Sequence, residues 1–301
     1  MSGTDKIVEK YLWYLKNVYP FFERDFSIIQ KASKVAQEAH KWQFRKLTGT
    51  AFIAHPLRVA IMVAEKTNDL TLILAAILHD VVEDSFEKFS MSYIYKNFWD
   101  EVWFLVDSVT ANIDYYYKNP KTIFEEKTDK FLYWVMKDIR CAFLKLMDRD
   151  HNNKTLEWLK IDKQIRKSFE TQALYNPLKK IIWLDDKKFV YKEAQDRFIQ
   201  YLKKKKIKNT EELRSSLYQD VFEDLDSYNF QLFYYSSNNI VRKIENKKMF
   251  EKLIENNYFD NKVEILSITE DIYWNFNCLF RYEKGKICCQ DVKMKVSNFQ
   301  G

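Results

Sequence analysis

His79, Asp80, Glu83 and Asp84 follow directly on the apolar run Leu72-Ile73-Leu74-Ala75-Ala76-Ile77-Leu78. A run of that length suits a buried helix better than a strand. If one helix spans 71–84, its ~100° step per residue places the four ionisable side chains within one arc of roughly 140°. Such a cluster at the end of a buried helix needs neutralising, and a divalent cation is the simplest neutraliser. The alternative is a helix end that dips into water. A second apolar stretch runs into a polar cluster in the same way: Asp148, His151, Asn152 and Thr155 recur at i, i+3, i+4 and i+7, on one helical face. An Asp and an Asn one turn apart suit a metal and a substrate hydroxyl; a plain surface helix end is the other reading. A third candidate, His55, stands before Pro56 at a loop-to-helix junction. There it either aims into a site or braces the junction. Together His55, His79, Asp80 and Asp148 make two imidazoles and two carboxylates, a mixed N/O set suited to Mn²⁺, Fe²⁺ or Zn²⁺ acting as a Lewis acid on a phosphoryl group. Glu83, one turn beyond His79, is placed to take a proton from water, and Asp84 to orient it or share the role.

The elements that must position these residues read as mainly helical. With only four Gly and four Pro in 301 residues, few turns need positive φ, and long helices are favoured over many short strands. Helices are expected over about 5–20, 25–44, from Pro56 with Leu57, Ala60, Ile61 and Ala64 as its core face, then 71–84, 91–109, 123–137, 139–156 and 160–183, the last interrupted by Pro177. His40 continues the small-residue face Ala32, Val35, Ala36 and Ala39 and reads as a core or loop-bracing histidine. Arg45 and Lys46 lie on the loop containing Gly49, available to an anion or a stacking partner, or simply solvated. The Tyr-rich stretch 111–122 reads as a surface loop.

From about Trp183 the character changes. Residues 186–225 read as a charged helical connector. Residues 226–301 read as a small α+β module, with strands near 230–234, 263–268, 274–282 and 287–296, a helix over 239–257 and a hairpin turn at Lys284-Gly285. The expected fold is thus an all-helical bundle over 1–185 followed by that module.

Composition narrows the class. Apolar residues are 47% and aromatics 17%, which excludes a disordered chain. No apolar run reaches membrane-spanning length, since the longest is cut by His79 and Asp80. Met1-Ser2-Gly3-Thr4-Asp5-Lys6 has no apolar signal core, so a cytoplasmic location is expected. Cys141, Cys278, Cys288 and Cys289 form no CxxC pair and read as reduced thiols. The formal charge of +6 suits a phosphorylated substrate, nucleic acid, or no special partner. The basic run Lys203–Lys208 reads as a solvated helix end, and no membrane or nucleic-acid partner is expected. An oligomer is left open.

The motifs resemble a known family. Arg45-Lys46, Gly49 and Phe52-Ile53-Ala54-His55-Pro56-Leu57, then Leu78-His79-Asp80-Val81-Val82-Glu83-Asp84, then Lys145-Leu146-Met147-Asp148 through Asn152-Asn153-Lys154-Thr155-Leu156 look like an HD domain. More closely, they resemble the hydrolase domain of the RelA/SpoT-type alarmone (ppGpp) synthetase/hydrolases and of the small alarmone hydrolases. Asp107-Ser108-Val109-Thr110 and Ala173-Leu174-Tyr175-Asn176-Pro177-Leu178 look familial too, and the likeness covers about 25–182. The resemblance implies one Mn²⁺, or another divalent metal, on His55, His79, Asp80 and Asp148, and catalysis by Glu83 and Asp84. It implies guanine stacking by Arg45 with Lys46 beside it, nucleoside contacts from Asn152 and Thr155, and removal of the 3′-pyrophosphate of ppGpp or pppGpp to give GDP or GTP. Three features depart from the pattern. The Arg45–His55 loop is one residue longer, Asp150 replaces an apolar residue, and no His-Arg-Leu-Gly follows Pro177. Synthetase motifs are not visible in 186–301, so hydrolysis without synthesis is expected. The alternatives are an HD phosphohydrolase acting on another nucleotide, such as NADPH, and an antitoxin-like regulatory or binding protein.

Overall fold

The computed structural model describes residues 3–19, 23–45, 49–110, 120–154, 167, 171–182, 188–223, 230–235, 241–244, 264–271, 274–283 and 286–289. Lys46, Thr155, most of the 111–122 stretch and the 284–285 turn lie outside them. The chain divides into two compact units, one of residues 1–154 with 179–206 and the other of residues 155–178 with 207–301.

The first unit is helical. In order it contains α1 (Gly3–Val18), α2 (Glu23–Ala39), α3 (Ala54–Lys66), α4 (Leu70–Leu78), α5 (Val81–Asp84), α6 (Met91–Asn97), α7 (Asp100–Val109), α8 (Pro120–Lys137) and α9 (Arg140–Asn153). Next come α10 (Asn176–Ile182), which starts in the second unit and ends in the first, and α11 (Tyr191–Lys205). Every residue from Thr71 to Leu78 is buried, and α4 touches α2, α3, α7 and α9. A helix that is apolar all round belongs in the middle of a core, and α4 is there. Its start is capped by Asp69, whose carboxylate accepts from the Leu72 amide at 3.2 Å.

The single helix expected over 71–84 is two. α4 stops at Leu78, His79 and Asp80 form a turn, and the one-turn α5 follows. Asp80 sits at φ −98°, ψ −6°, within the broad right-handed region but away from regular α-helix values. The His79 ring takes up the Ala76 carbonyl through Nδ1 at 2.8 Å, which satisfies one of the carbonyls freed where the helix ends. The helix expected over 91–109 is also broken, into α6 and α7, with Phe98 and Trp99 extended between them. The break lets the Trp99 indole donate to Thr71 Oγ1 at 3.1 Å, against the start of α4.

In the second unit, a π-helical turn at Thr171–Tyr175 leads into Asn176-Pro177. Pro177 lacks an amide hydrogen and crowds the preceding turn, and the wider turn accommodates it. α12 (Thr210–Glu223) packs on that turn. Strands β1 (Phe230–Tyr235), β2 (Val241–Ile244), β3 (Glu264–Asp271), β4 (Trp274–Glu283) and β5 (Lys286–Cys289) form an antiparallel sheet in the order β2-β1-β3-β4-β5. The helix expected over 239–257 is overturned at its start, where Val241–Ile244 pairs with β1, Leu232 standing opposite Ile244. Val241 and Ile244 have strand propensity, and a free β1 edge decides between the two periodicities. The mainly helical class with a small sheet-containing module holds. No helix among the described residues is long and apolar enough to cross a membrane.

Arg140, at the start of α9, locks α4 and α9 together. Its guanidinium reaches Asp138 at 2.8 Å, the α4 cap Asp69 at 3.4 Å and Glu101 of α7 at 3.5 Å, and lies 4.9 Å over the Tyr191 ring of α11. Because α4 and α9 lead to the residues discussed next, this cluster sets their mutual register. Replacing Arg140 with Met leaves largely buried carboxylates facing one another, and is expected to cost about 2 kcal/mol, below the fully buried range because Glu101 is exposed. Thermal denaturation should register this as a drop of roughly 4–8 °C. An unchanged Tm would remove the cluster from the framework.

Candidate metal centre

The turn between α4 and α5, the first turn of α3 and the middle of α9 converge. His55 Nε2 lies 3.5 Å from Asp80 Oδ2 and 3.1 Å from Asp148 Oδ1. His79 Nε2 lies 3.1 Å and 3.6 Å from the same two oxygens. Ligand atoms of His55, His79 and Asp80 all fall within 4.8 Å of one another. All four residues expected as ligands are therefore brought together from three helices. Pro56, in the first turn of α3, has no amide hydrogen to leave unpaired there and fixes the backbone beside His55.

Each side chain is oriented from behind. His79 donates Nδ1–H to Ala76, which leaves the Nε2 lone pair pointing into the cluster. That atom is buried and has no hydrogen-bond partner, although carboxylate oxygens are close. His55 Nδ1 lies 2.7 Å from His151 Nδ1, so one ring must donate to the other. If His55 donates, its Nε2 is free to ligate and His151 accepts. Burial and the nearby His55 and Arg45 push His151 down to about 3, so it is neutral and able to accept. Asp148 takes Asn152 Nδ2 on Oδ1 at 2.6 Å and Lys145 Nζ on Oδ2 at 3.1 Å.

The charge balance asks for a cation. Burial alone would raise both carboxylates, yet His79 and His55 hold Asp80 far below its usual range, and Lys145 with the two histidines does the same for Asp148. In return, burial disfavours charge on His79, but Asp80 and Asp148 outweigh it and lift His79 well above the ordinary imidazole value. For His55, burial prevails and lowers the value. Two carboxylates drawing a proton onto a buried ring whose lone pair has no bonded partner are a donor set that fits a divalent ion. His55, His79, Asp80 and Asp148 would hold it.

Arg45 stands at the base of a tight loop. Its amide donates to Thr50 at 2.9 Å, its carbonyl accepts from Gly49 at 3.0 Å, and Gly49 supplies φ +62°. The half-buried guanidinium lies 5.4 Å over the Phe52 ring; burial lowers its affinity for the proton while Asp80 and Asp148 act the other way. Glu83 and Asp84 sit on α5, immediately after Asp80. The Asp84 carboxylate lies 3.2 Å from His40 Nδ1. Asp150 carries its extra charge away from the cluster, onto Lys179 of α10 at 3.2 Å. Asp107-Ser108-Val109-Thr110 is structural, with Lys130 bridging Asp107 and the Thr110 carbonyl at 3.0 Å each. Lys145 was missed as a contributor to the centre, although its i−3 spacing from Asp148 puts it on the same helical face; His151 was placed on that face by its spacing but given no role.

Adding Mn²⁺ at about a hundredfold above its dissociation constant should stabilise the protein by about 2.7 kcal/mol, read as a rise in Tm. Asp80→Ala should abolish the rise. Because metal and proton compete for His79, the rise should be smaller at acid pH and larger at alkaline pH. An equal rise in Asp80→Ala would place the ion elsewhere.

The family model described as HD domain matches residues 32–180. The chain is 34% identical over 182 residues to "Probable GTP pyrophosphokinase" of Mycobacterium leprae, covering 59% of this chain and 22% of that one. It is 35% identical over 150 residues to "Bifunctional (p)ppGpp synthase/hydrolase SpoT" of Escherichia coli, covering 50% of this chain and 21% of that one. The chain thus spans about one fifth of the length of these curated relatives. A solved structure described as "A metazoan ortholog of SpoT hydrolyzes ppGpp and plays a role in starvation responses" superposes with a TM-score of 0.41 at 21% identity, covering 57% of this chain and 94% of that one. Residues 32–180, with the His and Asp side chains brought together there, are an HD domain, and in that segment the chain is similar to the (p)ppGpp hydrolase and synthetase proteins named above.

Proposed function

We propose that this chain is a Mn²⁺-dependent hydrolase that removes the 3′-pyrophosphate of ppGpp or pppGpp, giving GDP or GTP and pyrophosphate, without synthesising either. The observation that carries the reading is the convergence of His55, His79, Asp80 and Asp148 on one point, with Arg45 near enough for both carboxylates to act on its charge and Glu83-Asp84 on the short helix that follows Asp80. The names of the hydrolase relatives supply the substrate class. The absence of recognisable synthetase motifs from 186–301 supports hydrolysis alone, although some relatives carry the name GTP pyrophosphokinase.

A divalent cation held by the four ligands supplies electrophilic stabilisation for phosphoryl transfer. The protein's own residues do the rest. Glu83 accepts the proton of the attacking water as the new P–O bond forms. The bond from phosphorus to the ribose 3′-oxygen breaks, and that oxygen leaves with a proton. Asp84 orients the water or shares the transfer. Arg45, braced on Phe52, offers a flat cationic face to the guanine, with Lys46 next in the chain. Asn152 and Thr155 contact the nucleoside, and Asn152 also steadies Asp148. The +6 charge favours approach of a polyanionic substrate.

Glu83→Gln keeps shape and removes the base, so it should retain Mn²⁺ while turnover falls by about 10²–10⁴-fold. Loss of the metal in that variant would make Glu83 a ligand instead. Incubating the purified chain with GDP and ATP should yield no ppGpp; its appearance would overturn the hydrolase-only reading.

A further inference from the structure

We infer that His40 is a positioning residue that sets Asp84 and the Arg45 loop against the metal centre. This rests on the proposed role of Asp84 in handling water. The His40 side chain is fully buried at the end of α2, where α2 gives way to the loop. Its Nδ1 lies 3.0 Å from Gln43 Oε1 and 3.2 Å from Asp84 Oδ2. Both neighbours are acceptors, so Nδ1 carries the hydrogen and donates it to Gln43 Oε1, with the Asp84 carboxylate within ion-pair distance of the same nitrogen. Two further bonds tie the same three residues: the Gln43 amide donates to the His40 carbonyl at 3.1 Å, and Gln43 Nε2 donates to the Asp84 carbonyl at 3.5 Å.

The other side of the ring packs on Phe52, with centroids 4.8 Å apart. Phe52 in turn lies under the Arg45 guanidinium at 5.4 Å and against the His55 ring at 5.7 Å. One imidazole thus touches α5 directly and, through Phe52, a metal ligand and the residue offered to the base. Among the described residues, the buried His40 Nε2 has no hydrogen-bond partner. A core position gains nothing from an orphaned ring nitrogen, since an apolar side chain of similar size carries no such penalty. What sets the imidazole apart is the polar Nδ1–H edge it presents to the Asp84 carboxylate, 3.2 Å away. Asp84 is about a third exposed and, among the described residues, has no other charge partner to fix it.

The test uses the full chain loaded with Mn²⁺, as wild type, His40→Leu, His40→Asn, Asp84→Asn and the double variant His40→Leu/Asp84→Asn. Bound Mn²⁺, Tm and steady-state cleavage of ppGpp are measured for each. His40→Leu should still bind one Mn²⁺ per chain and lose about 10²-fold in kcat, the scale expected when a reacting group is misplaced by about 1 Å. His40→Asn, which keeps an N–H near the Nδ1 position, should recover most of that loss. In the Asp84→Asn background, His40→Leu should cost little more, because the two act as one unit. Losses that multiply, or a folded, metal-loaded His40→Leu with unchanged kcat, would overturn the proposal. A readout independent of turnover is the ¹H–¹⁵N NMR signal of His40 Nδ1–H in the wild-type chain, which Asp84→Ala should shift. No shift would mean that the contact is absent and the proposal falls, even if His40→Leu fails to fold. If the wild-type chain cleaves no ppGpp while the signal does shift, the fault lies with the proposed substrate, and the positioning contact stands.

Discussion

Asp80 and Asp148, largely withdrawn from water and facing the same pair of imidazoles, impose the constraint on which the rest of the structure depends. Placing two carboxylates so close in a poorly solvated site is unfavourable unless positive charge sits between or beside them. Protein groups supply only part of it. Lys145 takes one oxygen of Asp148, Asn152 donates to the other, and His79 is drawn toward its protonated form. This demand accounts for the turn at His79-Asp80. A helix continuing through 84 would carry Asp80 round with it; ending α4 at Leu78 lets both side chains aim at the same point.

The scaffold meets the demand by confining polar interactions to the two ends of an apolar rod. From Thr71 to Leu78, α4 is buried on every side and offers no hydrogen-bonding side chain except Thr71 at its start. At its far end, Asp69 caps it and Arg140 gathers Asp69, Asp138 and Glu101 from three elements. At its near end lies the metal centre. A close-packed rod transmits position with little give, so fixing α4 against α9 at Arg140 also fixes His79 against Asp148.

The side of the site facing substrate is built from smaller pieces. The Arg45 loop is held by two backbone bonds, by Gly49 in the left-handed region and by the Phe52 ring beneath the guanidinium. Asp150, on α9, pairs with Lys179, whose positive charge offsets its own. α11 ends in Lys203, Lys204 and Lys205, with Lys206 in the left-handed cap position. Cations suit the negative end of the helix dipole, so this basic run has a local structural reason.

Much of this protein was legible before any coordinates. His55, His79, Asp80 and Asp148 are marked by residue type at the ends of apolar runs, because buried polar side chains at such junctions need a common partner. The helices are marked by their spacing and by the scarcity of Gly and Pro. Tertiary structure decided what local pattern could not. Whether 71–84 is one helix or two depended on where the ligands must point, and so did the direction of Asp84, which the arc argument aimed at the metal and the fold aims at His40. Val241–Ile244 became a strand because β1 offered it an edge. His151 gained its place behind His55 from a contact at the convergence of α3 and α9, joining residues 96 apart in the chain, a closeness that spacing along one helix cannot report.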